Sequence, residues 1–83
     1  MKKELSIENV YKALEKNVNG MSDIDLQYRF FGAEEPTTKE LEMLNKYIRL
    51  NVYNGNIFPK KMNNLSNIKF YGKNFIDENG NLK

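Results

Sequence analysis

The sequence predicts an α+β fold, three helices followed by a β-hairpin, within one domain spanning residues 1–83. Three observations predict it. Apolar residues recur at helical spacing over 6–18 and 37–53. Two short runs of strand-forming residues, Ile57-Phe58 and Ile68-Lys69-Phe70-Tyr71, flank a polar centre. The length, 83 residues, is enough for one domain. A chain this short buries only about 60% of the surface its unfolded form exposes, and dimerisation is a common remedy.

In the first segment, residues 6–18, Ile7, Val10, Tyr11, Leu14 and Val18 fall on one helical face. Ser6 is a good N-cap, Glu8 suits the first turn, and Asn19-Gly20 is placed to end the helix. Residues 22–31 fit two patterns. Ile24, Leu26, Tyr28 and Phe30 alternate as in a strand, while Ile24, Tyr28 and Phe31 share a helical face. Ser22 with Asp25 resembles a capping box and Gly32 can stop a helix, so a short helix is the expectation. A short extended piece around Met21 fits between these two helices.

After the loop Ala33-Glu34-Glu35-Pro36, Thr37 and Glu40 form a capping box for the third helix, expected over 37–53. Leu41, Leu44, Ile48 and Val52, with Tyr47 alongside, make its apolar stripe, and Asn54-Gly55 marks its end. The hairpin is expected over 57–73, with a polar tip at 63–67. Pro59 cannot donate a ladder hydrogen bond, so its strand should lie at an edge. The tail, 74–83, carries Asn79-Gly80, a type I′ turn signal for a second small hairpin or a frayed end. Tyr28, Phe30, Phe31, Tyr47 and Tyr53 are read as core aromatics rather than stacking platforms.

Charge is segregated along the chain. Residues 1–42 carry a net −3, residues 43–76 a net +6 and residues 77–83 a net −1. The middle stretch of 34 residues holds Lys46, Arg49, Lys60, Lys61, Lys69 and Lys73 and no acid. Such a segment is the footprint of a polyanion. A solvated, lysine-rich edge that discourages sheet aggregation is the plainer alternative. The acids Glu34, Glu35, Glu40 and Glu42 gather at the start of the third helix, where the helix dipole favours them.

The order helix, helix, helix, hairpin resembles the winged helix-turn-helix family over roughly residues 6–73. The resemblance implies that Thr37–Tyr53 is the recognition helix and Ile57–Lys73 the wing. One departure is plain: the family presents basic and polar residues at the start of that helix, whereas here the start is acidic. The wing is therefore expected to lead contact with double-stranded DNA. Lys60, Lys61, Lys69 and Lys73 would neutralise phosphates, joined by Lys46 and Arg49. Asn63, Asn64 and Asn67 would reach base edges, Tyr71 a phosphate or sugar, and Lys2 and Lys3 would form a basic arm. Thirteen asparagines and eleven lysines are a composition typical of AT-rich genomes. In size, composition and element order the chain looks like the relaxosome accessory proteins of clostridial conjugative plasmids. That likeness implies a homodimer at repeated sites near a transfer origin, or at a promoter, with a relaxase or another mobile-element protein as partner.

Catalysis finds no constellation here. With no histidine or cysteine, the five tyrosines and three serines lack a base, and their only arginines are Arg29 and Arg49. No enzyme activity, cofactor or metal is expected. The start MKKELSIENV has no apolar run and nothing approaches a membrane span, so a cytoplasmic location is expected. Two other readings stand beside DNA binding. One is a phage- or plasmid-encoded inhibitor that blocks a host defence enzyme by protein contact. The other is a regulatory helical module that binds no nucleic acid.

Overall fold

Each helix begins where a side chain can satisfy backbone N–H groups that have no partner within the helix. In the computed structural model, which describes residues 4–61 and 68–83, α1 runs over Ile7–Glu15. The Ser6 hydroxyl accepts from the Asn9 N–H at 3.1 Å, and Glu8 pairs with Lys12 at 3.2 Å. α2 is Asp23–Phe31 and α3 is Thr38–Tyr53. Both open with a reciprocal capping box: Ser22 with Asp25, and Thr37 with Glu40.

The strands are β1 (Met21–Ser22), β2 (Ile57–Lys61) and β3 (Ile68–Gly72). They form one antiparallel sheet in the order β1-β3-β2. The extended piece at Met21 is thus a real strand, paired with Phe70 and Lys69 of β3. β2, which contains Pro59, lies at an edge as expected. Three helices, a short strand between the first two, and a closing hairpin make a winged-helix-like architecture.

The core joins Val10, Ala13 and Leu14 of α1, Leu26, Phe30 and Phe31 of α2, Leu44 and Ile48 of α3, and Met21 and Ile57 of the sheet. α1 packs on α3 and β3, and α3 packs on β2. Among the described residues, one polar side chain, Asn51, is fully buried with them. The Asn51 amide donates to the carbonyls of Ile7 (3.0 Å) and Tyr47 (2.9 Å). Its oxygen accepts from the Asn56 amide at 3.5 Å, and the Asn56 carbonyl accepts from the Lys73 N–H at 3.0 Å. This chain of bonds ties the start of α1, the end of α3 and the base of the hairpin together.

Four expectations are corrected. α1 stops at Glu15, not 18, because the chain turns over Asn17–Gly20, and Val18 is 62% exposed. α2 buries Leu26 and Phe30 instead of the Ile24–Tyr28 stripe, which is 74% and 69% exposed. Both stripes have helical spacing, and packing selects between them. Tyr53 is 89% exposed rather than part of the core. The tail does close into a bridge between Ile76 and Leu82, but not through a type I′ turn. Asn79 keeps a negative φ, and the Asp77 carboxylate instead accepts from the N–H groups of Asn79 and Asn81, each at 2.9 Å.

Candidate nucleic-acid interface

The hairpin register decides where its cations stand. Pairing sets Phe58 opposite Tyr71, Pro59 opposite Phe70, Lys60 opposite Lys69, and Lys61 opposite Ile68. Side chains alternate along each strand, so Lys60 and Lys69 share one face with Phe58 and Tyr71. Pro59, Phe70, Lys61 and Ile68 share the other, the side that carries the core residue Ile57. Two lysines directly opposite each other repel, and a sheet gains nothing from them internally.

Lys73 follows β3 and is exposed, while its backbone N–H ties into Asn56. Lys46 and Arg49 lie three residues apart on the exposed side of α3. Within the described residues, none of these six cations forms an ion pair.

The acids behave differently. Asp25 and Glu40 accept from the backbone N–H groups of Ser22 (3.2 Å) and Thr37 (2.9 Å), and Asp77 organises the tail turn. Glu15 accepts from the Tyr11 hydroxyl, and this hydrogen bond holds the Tyr11 phenol above its ordinary pKa. Glu34, Glu35 and Glu42 lie with Glu40 around the start of α3. Glu40 and Arg49 are nine residues apart, about 13 Å of helix rise. The start of α3 therefore presents negative charge and its middle, at Lys46 and Arg49, positive charge.

Tyr71 differs from the hairpin cations in its burial. It is 4% exposed, and its ring lies over Gly20, where a Cβ would stand 2.6 Å from Cε1. Gly20 has a φ of +74°, which a side chain would strain. Tyr71 is held in the fold. Lys2, Lys3, Asn63, Asn64 and Asn67 lie outside the described residues.

A groove of about 480 Å³ runs between α3 and the hairpin. Ile48, Val52, Pro59 and Phe70 give it apolar walls, with Asn45, Arg49 and Asp23 as its polar groups. Sequence reasoning included Arg49 but not the groove. Pro59 and Phe70 read as strand residues, and only the pairing of β2 with β3 sets them side by side facing α3. Asn51 was legible in principle, since it continues the Leu44–Ile48 stripe at the next helical step.

Among the described residues, no group of three or more histidine, cysteine or acidic side chains could hold a metal ion, and no helix is long and apolar enough to cross a membrane. The class this geometry defines is a small winged-helix-like protein with a basic hairpin. Comparison of the chain with protein-family models, curated proteins and solved structures returns no match.

Proposed function

We propose that this protein binds double-stranded DNA without catalysing a reaction, and that the basic hairpin leads the contact. One observation carries the reading. Six cations stand on the hairpin and the second half of α3, in a stretch with no acid, and none has a partner within the described residues. Phosphates would supply the missing counter-charge, above all between Lys60 and Lys69. The acidic start of α3 opposes the docking in which that end of the helix enters the major groove. Contact through the hairpin and the Lys46–Arg49 face avoids it.

The biological setting comes from the resemblance to relaxosome accessory proteins. It is an accessory role on a mobile genetic element, at a transfer origin or a promoter, by a homodimer that works beside a relaxase or a similar protein. Sedimentation velocity on the free protein tests the homodimer separately from DNA binding.

The primary test is fluorescence anisotropy with mixed labelled duplexes at several salt concentrations. The expected slope of log K against log salt is about −4 or steeper, since each neutralised phosphate contributes about 0.9. Absence of binding at low salt would overturn the reading and leave the lysines as protection of the sheet edge.

A further inference from the structure

We infer that the groove between α3 and the hairpin takes an unpaired nucleobase, so that the protein also holds single-stranded DNA. The inference rests on the proposed DNA reading and goes beyond it. Phosphate contacts need cations that reach solvent, and the half-buried Lys60 and Lys69 stand on the hairpin face that does not line the groove. The groove itself is of a different kind. Its walls are Ile48, Val52, Pro59 and the ring of Phe70, surfaces from which a phosphate gains nothing. Its volume of about 480 Å³ falls within the roughly 300–1,000 Å³ of clefts that enclose small ligands.

The cations around the groove favour an anionic occupant. Most of the groove lies within the acid-free stretch. Arg49 offsets Asp23 in its lining, and Lys46 on the same exposed side of α3 and Lys61 next to Pro59 and Phe70 on the same hairpin face leave its rim net positive. An apolar, partly aromatic slot beside cations is the arrangement on which single strands are held, the base on the ring and the phosphate on the charge. Duplex bases are already stacked and present only their edges, so they cannot use such a slot.

The polar groups select further. The Asn45 amide both donates and accepts, and the Asp23 carboxylate accepts. Together they suit a base with an exocyclic amino group, such as cytosine, over thymine.

The test uses the whole chain, a labelled oligo(dC), and a labelled blunt-ended duplex. Methyl NMR follows Ile48 and Val52 as oligo(dC) is added. Bound bases should move both resonances upfield through their ring currents. Asn45→Ala, a substitution at an exposed helical position that alters no charge, should weaken oligo(dC) by about threefold to tenfold, the worth of one hydrogen bond to the base. It should leave the duplex affinity unchanged, since no charge is altered. Binding of oligo(dC) with both methyl groups unmoved, or equal losses on the two DNAs, would overturn the groove assignment and leave duplex binding standing. If neither DNA binds, the DNA reading fails and this inference fails with it. Methyl shifts that depend on protein concentration without DNA would instead assign the groove to a second copy of the chain.

Discussion

The acidic end and the basic end of this molecule use their charges in opposite ways. Around α2 and the start of α3, carboxylates are bonded to the chain itself: Asp25 to Ser22 and Glu40 to Thr37. On the hairpin and the second half of α3, six cations have no internal partner within the described residues. The acids help define where helices begin, and the cations contribute nothing comparable to the fold. The difference teaches that charge alone does not mark a binding surface. Charge without internal bonds does so more sharply.

The largest effect should come from the joint between the two ends. Gly20→Ala places a Cβ on the Tyr71 ring and forces a side chain to a positive φ. The expected loss is about 2–3 kcal/mol of stability, read in a thermal melt as a fall in Tm of roughly 10–20 °C. An unchanged melt would mean that hairpin and helices are not joined there.

Lys60→Ala with Lys61→Ala should come next. The double change should make the salt slope of duplex binding shallower by about 1.8 and cut affinity at low salt by more than about tenfold. The melt should rise slightly, because the change also removes the Lys60–Lys69 repulsion. Lys39→Ala, at the acidic end, is the control, and an equal loss from it would erase the contrast between the ends.

Thr37→Ala removes the cap of α3 and with it the partner of the Glu40 N–H. Chemical denaturation should show a loss of about 1 kcal/mol, with the DNA salt slope unaltered. A changed slope would mean that the acidic end also touches DNA.

Lys69→Ala has a smaller effect, of opposite sign. Relief of the repulsion from Lys60 should stabilise the free protein by about 0.2–0.5 kcal/mol, even as the salt slope falls by about 0.9. Destabilisation would show that the pair is not mutually repulsive.

The smallest effect concerns Tyr11. Its phenol is held above the ordinary value, so the folded state favours the protonated form. The resulting stability is present below the ordinary tyrosine pKa of about 10 and is lost as pH rises through the higher folded value. An alkaline absorbance titration of Tyr11→Phe should lack the component that titrates above the ordinary range. Retention of that component would assign it to another tyrosine.

The helix starts were legible because a cap is a local device. Ser22 with Asp25 and Thr37 with Glu40 need only their own neighbours, and both boxes form. Pro59 pointed to an edge strand because its missing N–H is intrinsic to the residue, and β2 is an edge. What sequence could not decide depends on elements far apart in the chain. Whether α2 buries Ile24 and Tyr28 or Leu26 and Phe30 is set by what packs against it. The burial of Tyr71 depends on a turn far earlier in the chain, where Gly20 leaves room for a ring. The groove behind Pro59 and Phe70 appears only once strand register brings them together before α3.

The Lys60–Lys69 pair has a further thermodynamic consequence. In the free protein it works against the hairpin, and added salt should relieve it. With phosphate between the two ammonium groups the same arrangement becomes attractive. DNA would then act as a folding ligand for the hairpin, raising the melting temperature of the segment it touches. Ionic strength would consequently act in two directions at once, firming the unbound protein while loosening its complex.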